Sequence, residues 1–281
     1  MEIYKPVARI EGKNTVVNGI KNFSLADTLD CGQAFRFSEN PDGSWSGIAF
    51  GRPLKLATDG DELTFFNTTP EQYHDIWENY FDLGRDYGKI IAEISENEVL
   101  RRAAEYGNGI RVMKQDNWEA LCSFIISQNN NIPRIKGIIE RLCENFGEKI
   151  PDGYTFPSAE RLAALTPEDL APLRAGFRAR YIIDAAQKVA GGRVNLEKSE
   201  KMPLEEARQM LMGIVGVGEK VADCALLFGA GRTECFPKDV WIKRAMEQLF
   251  GGELPECALP YAGIVQQYIF HYARTSGIFQ Q

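Results

Sequence analysis

Lys220 and Asp239, 19 residues apart in a chain of 281, are the side chains best suited to covalent chemistry. A neutral amine attacks electrophilic carbon, and a nearby carboxylate stabilises the positive charge that develops. Lys220 falls in the first turn of an expected helix, where the dipole disfavours a cation and so favours the neutral amine. Immediately before it, Gly216-Val217-Gly218 makes a turn whose backbone N–H groups and following helix N-terminus suit an anion such as a phosphate. Glycines there tolerate positive φ and let backbone approach closely. Each residue also has a plainer reading. The glycines can simply close a tight turn between helices, Glu219 or Asp223 can neutralise the lysine, and Asp239 can cap the helix that follows.

The elements that must hold these residues are legible in the pattern. Leu204, Ala207 and Leu211 mark a leading helix, and Val221, Cys224, Ala225 and Phe228 share one face of the next. Together they make a helix-hairpin-helix over about 204–229. After Asp239, Ile242, Ala245, Met246 and Leu249 stripe a third helix. Upstream, Trp118, Leu121, Cys122 and Ile125 form a stripe capped by Asp116 or Asn117 and ended by Asn129-Asn130-Asn131. Pro133 starts another helix, Ser158 and Thr166 open two shorter ones, and Gly176 breaks the chain before RARYIIDAAQKVA. The N-terminal part reads differently. Between Ala34 and Asn67, short apolar and β-branched runs alternate with turn signals, as in an antiparallel meander, and Thr69-Pro70-Glu71 then starts the helical pattern. The expected fold is α+β: an N-terminal antiparallel β-rich domain over 1–112 and a mostly helical domain over 113–281.

Composition narrows the function classes. A 44% hydrophobic, 25% charged chain is an ordinary globular one. No apolar run approaches the roughly 18 to 20 residues that span a bilayer, and MEIYKPVARIEGKN lacks a signal peptide's apolar stretch, so a cytoplasmic protein is expected. The six cysteines are scattered without a CxxC pair, which argues against thiolate metal sites. A net charge of −7 disfavours a nucleic-acid partner on average. Its distribution says otherwise: Arg174 to Arg244 carries 13 Lys/Arg against 9 Asp/Glu, which leaves a basic patch open to a C-terminal surface.

Five separated blocks then resemble one family in its own order: CGQAFRF, FIISQNNNIPRIKGIIERLCENFG, GFRARYI, GIVGVGEKVADCALL with PKDVW, and PYAGIVQQYIF. The chain resembles the helix-hairpin-helix, Gly/Pro-Asp superfamily of base-excision DNA glycosylases, and within it the 8-oxoguanine DNA glycosylases with abasic-site lyase activity. The resemblance implies that Lys220 is the Schiff-base lysine and Asp239 the superfamily aspartate. It implies that Gly32 offers its carbonyl to the N7–H of the oxidised base. Cys224 and Phe270 would sandwich the flipped base, and Gln266, one helical turn before Phe270, would read its Watson–Crick edge. Asn129 would fill the gap left in the duplex, Arg134 and Arg178 would address the orphaned cytosine, and Gly216 and Gly218 would grip phosphate. No metal and no organic cofactor is implied. The partner would be duplex DNA with 8-oxoguanine opposite cytosine, bound by a monomer without a membrane and associated with the nucleoid in a prokaryote.

Two departures stand out. Phe177 occupies the place of the wedge tyrosine of eukaryotic members, which keeps an apolar wedge without a hydroxyl, and Trp241 occupies that of a histidine. The C-terminal cysteine cluster of iron–sulfur glycosylases is absent from the sequence, as in the 8-oxoguanine branch. Three competing readings are a glycosylase with another lesion preference, a non-catalytic helix-hairpin-helix DNA-binding module, and a helical protein–protein scaffold. The base-slot residues oppose the first. The paired Lys220 and Asp239 oppose the second, and the basic excess with the five-block match opposes the third.

Overall fold

A computed structural model describes residues 4–279. Six antiparallel strands form the N-terminal sheet: β1 (Val7–Glu11), β2 (Asn14–Asn18), β3 (Phe37–Glu39), β4 (Trp45–Ala49), β5 (Arg52–Asp59) and β6 (Glu62–Phe66), in the order β1-β2-β6-β5-β4-β3. The expected meander is β3 to β6. The sheet also has a hairpin, β1-β2, turning at Gly12 (φ +62°), and a short helix, α1 (Leu25–Asp30), that separates it from β3. Alternation decides the buried face: Leu54, Leu56, Leu63 and Phe65 point into a core closed by Tyr73, Trp77, Tyr80 and Phe81.

Those aromatics lie on the segment that Thr69 opens with a capping box to Gln72. It runs through α2 (Pro70–Gln72), a π-helical turn (Tyr73–Trp77) and α3 (Glu78–Tyr80), and is followed by α4 (Tyr87–Ile94) and α5 (Glu98–Tyr106). Helices then dominate: α6 (Asn117–Ser127), α7 (Ile132–Phe146), α8 (Ala159–Ala163), α9 (Arg178–Ala190), α10 (Leu196–Ser199), α11 (Leu204–Met212), α12 (Glu219–Phe228), α13 (Val240–Phe250) and α14 (Ala262–Thr275). A two-strand ribbon, β7 (Lys149–Ile150) with β8 (Gly153–Tyr154), interrupts them after α7. Asp116, not Asn117, caps α6, and Asn131 caps α7 with Pro133 in its first turn. The helix expected at Thr166 is a turn followed by a 3-10 segment, Ala171–Leu173. Thr166 and Asp169 do bond as a cap, but Pro172 removes the N–H that the next turn needs.

The two cores are joined through a buried strut. Gln33 is fully buried; its Nε2 donates to the carbonyls of Thr28 (2.9 Å) and Arg111 (2.7 Å), and its Oε1 accepts from Met113 N (2.9 Å). Gln115 Nε2 closes the set on Gln33 O at 2.7 Å. Arg111, also fully buried, donates to the carbonyls of Asp82, Arg85 and Lys21 and packs 4.4 Å over the Tyr87 ring. Apart from Arg111 Nε, which has no partner among the described residues, these buried groups are paired, so the segment carrying Gly32 is fixed against the helices.

Candidate active site

The hairpin forms as the spacing predicts. Gly216 takes φ +80°, and a Cβ there would lie 2.4 Å from the Tyr181 ring, so both its conformation and its packing require glycine. Asp184 braces the turn from α9, accepting from Val215 N and from Lys188 Nζ at 2.7 Å each, while Lys188 also donates to Gly213 O. Gly218 is the N-cap of α12 and offers no side chain, so the first N–H groups of that helix face the exposed turn uncapped. That is the geometry of an anion site.

Lys220, half-buried in the first turn of α12, points into a cleft of about 670 Å³. Asp239, which caps α13 by accepting from Ile242 N at 2.8 Å, lines the same cleft. So do Gly32 from the N-terminal segment, Asn129 from the loop after α6, and Phe270 from α14. Residues from five separate stretches therefore converge on one space. Neither neighbouring acid neutralises Lys220. Asp223 pairs instead with Arg208 Nε at 2.9 Å, which ties α11 to α12, and burial pushes its carboxyl up against the pull of that arginine.

Two predicted residues lie behind the cleft wall rather than on it. Cys224 is 3% exposed, one helical turn from Lys220; burial pushes its thiol up to about 11, although the Lys220 charge pulls it down. Gln266 is buried, with Nε2 donating to Pro237 O at 3.2 Å and Oε1 left without a partner among the described residues. A buried, unsatisfied acceptor beside a cleft is costly unless something else supplies a donor.

The remaining predicted residues flank the opening. Arg134 is exposed on the first turn of α7, and Phe177 is 47% exposed at the start of α9. Arg178 is not free: its guanidinium donates to the carbonyls of Gln128, Asn129 and Ala175 and sits 4.4 Å over the Phe177 ring. Burial, with the charge of Arg134 second, lowers its pKa. Asn129 is held at φ +47°, a conformation that asparagine tolerates better than most residues.

Other cleft residues escaped the sequence reading: Phe124, Ser127, Lys238, Lys243 and Arg274. For two of them the signal was present. Lys243 is four residues after Asp239 on α13, and Arg274 four after Phe270 on α14, so each shares a helix face with a residue already singled out. Trp241 lines the cleft as well. Among the described residues no group of three or more His, Cys, Asp and Glu side chains is placed to hold a metal ion.

Residues 15–121 match the family model of the 8-oxoguanine DNA glycosylase N-terminal domain, and residues 122–255 that of the HhH-GPD superfamily base excision DNA repair protein. A solved structure of MBOgg1 in complex with a low-affinity DNA ligand is 44% identical, with a TM-score of 0.91 over 97% of this chain and 99% of that one. The chain belongs to the 8-oxoguanine DNA glycosylase family. The Clostridium acetobutylicum 8-oxoguanine glycosylase/lyase, solved with duplex DNA containing cytosine opposite 8-oxoG, is another close member: 35% identical, with a TM-score of 0.90 over 99% of this chain and 100% of that one. The N-glycosylase/DNA lyase of Saccharomyces cerevisiae is 38% identical over 152 residues, 48% of this chain and 40% of the yeast protein. The match thus spans less than half the length of that relative. Family membership accounts for both halves of the architecture, a six-stranded antiparallel sheet followed by helices. No helix among the described residues is long and apolar enough to cross a membrane.

Proposed function

We propose that this protein is a bifunctional base-excision-repair enzyme that excises 8-oxoguanine from duplex DNA and cleaves the abasic site it leaves. The observation that carries the reading is convergence: Gly32 and Phe270, from opposite ends of the chain, open on the cleft that holds Lys220 and Asp239. In this reading the hairpin at Gly216 and Gly218 takes a backbone phosphate, and the lesion is flipped into the cleft. Neutral Lys220 attacks C1′ as the bond to the base nitrogen breaks and its electron pair leaves with the base. Asp239 stabilises the oxocarbenium character of that step. Ring opening gives a Schiff base. Loss of the C2′ proton then expels the 3′ phosphate by β-elimination, and hydrolysis frees the lysine.

Substrate choice rests on the walls. Gly32 accepts the N7–H that only the oxidised base carries. Phe270 and Cys224 enclose the ring, and the unpaired Gln266 Oε1 awaits a donor on its Watson–Crick edge. Phe177 is the exposed wedge, Asn129 fills the vacated stack, and Arg134 addresses the cytosine. Arg178 serves that cytosine indirectly, because its donors are committed to the carbonyls of the Asn129 loop. The division of labour follows the domain boundary near residue 112, with the base-specific glycine on one side and the reactive pair on the other. The protein acts as a monomer in the cytoplasm, and on the nucleoid where its source is a prokaryote.

Borohydride trapping on an 8-oxoguanine:cytosine duplex tests this. The wild type yields a covalent adduct and free 8-oxoguanine, and Lys220→Gln yields no adduct. Absence of both adduct and base release in the wild type would favour a DNA-binding module without catalysis.

A further inference from the structure

Ser127 stands at the C-terminal end of α6, on the cleft wall. Its Oγ donates to Phe124 O at 2.8 Å, the backbone carbonyl three residues earlier. With its one hydrogen committed there, the hydroxyl presents lone pairs to the cleft and can act there only as an acceptor. Lys220 Nζ donates to it across 3.4 Å. The same Nζ lies 5.5 Å from the centroid of the Phe124 ring. Phe124 is itself immobilised, 3% exposed, stacked on Phe228 at 5.1 Å and edge-on to Phe35 at 6.0 Å. One turn of α6 thus gives the amine a fixed acceptor and a fixed π face.

We infer that Ser127 is a positioning residue for Lys220, holding its amine in the rotamer from which it attacks; the inference rests on the proposed role of Lys220. A lysine chain has four rotatable bonds and loses rotamer freedom when it is fixed. Fixing it before substrate arrives removes part of that cost from the reacting step. An amine that donates one N–H to Ser127 keeps its lone pair for another partner, in a cleft that Asp239 and Phe270 also line. The other charged or titratable groups around this amine are Asp239, Lys238, Lys243 and Arg274 on the cleft and Cys224 behind it.

The test compares wild type, Ser127→Ala and Ser127→Thr in duplex binding, single-turnover excision and borohydride trapping on an 8-oxoguanine:cytosine duplex. One orienting hydrogen bond is worth about tenfold in rate. Ser127→Ala is expected to lower the plateau rate about tenfold and leave duplex affinity within about twofold. Ser127→Thr, which keeps the hydroxyl, is expected to restore the rate. If Ser127→Ala matches the wild type, or loses rate and duplex affinity together without rescue by threonine, the positioning role is overturned while a trapping wild type keeps the lysine mechanism intact. A wild type that traps nothing overturns both.

Discussion

Glu119 is the acid that burial perturbs most usefully. It sits on α6 with its side chain 11% exposed, and Arg36 Nη1 lies 3.3 Å away. Burial raises its carboxyl from 4.5 to about 7, with the Arg36 charge opposing. A carboxyl whose folded pKa lies above its unfolded one binds more protons folded than unfolded in the interval between them. Stability therefore falls as pH rises from about 4.5 to about 7 and levels off above. Glu119→Gln mimics the protonated form and has no such dependence. The urea midpoint of the wild type should drop relative to that of Glu119→Gln between pH 5 and pH 8, with the two proteins closest at pH 5. Parallel midpoints at both pH values would show that the pair is balanced and the burial penalty fully offset. Nothing in the sequence identified this site, because Glu119 reads as a solvated first-turn acid of α6 until the sheet brings Arg36 over it.

The hairpin separates two glycines that look alike in sequence. Gly216 needs its identity for the fold: alanine there would meet both an unfavourable positive φ and the Tyr181 ring. Gly216→Ala should cost about 1 to 3 kcal/mol of stability. Gly218 has an ordinary φ of −105° and open space around the position of a Cβ. Gly218→Ala should melt within about 0.5 kcal/mol of the wild type, yet bind duplex DNA about tenfold more weakly if a phosphate approaches that backbone. Thermal melting and duplex binding measured on both variants distinguish the cases. Equal affinity in Gly218→Ala would leave the hairpin a tight turn and nothing more. At this scale much was legible. The hairpin, the cap at Asp239 and the pairing of Gln266 with Phe270 on one helix all follow from spacing and capping chemistry, which are local. The helix expected at Thr166 failed for a local reason too, Pro172, whose missing N–H stops propagation after a good cap.

Assembly of the cleft is a long-range property, which only the family resemblance anticipated, because spacing and capping carry no signal of it. Gly32 reaches Phe270 and Arg274 only because Gln33 latches its segment to residues 111–115, and no periodicity announces such a strut. The same long-range assembly resolves the conflict between a net charge of −7 and a polyanionic partner. Lys220, Lys238, Lys243 and Arg274 line the cleft against the one acid Asp239, so positive charge is concentrated where DNA would enter. Lys238 and Lys243 are exposed, on either side of Asp239. If each neutralises one phosphate, Lys238→Ala and Lys243→Ala should each lower the slope of log K against log salt by about 0.9, and by the same amount on damaged and undamaged duplexes. Affinity measured between 50 and 200 mM salt gives that slope directly. A loss confined to the lesion duplex would instead assign these lysines to the flipped nucleotide, and an unchanged slope would remove them from the DNA interface altogether. The uniform loss is the expected outcome, because a lysine at the rim of a cleft meets the backbone before it meets a base.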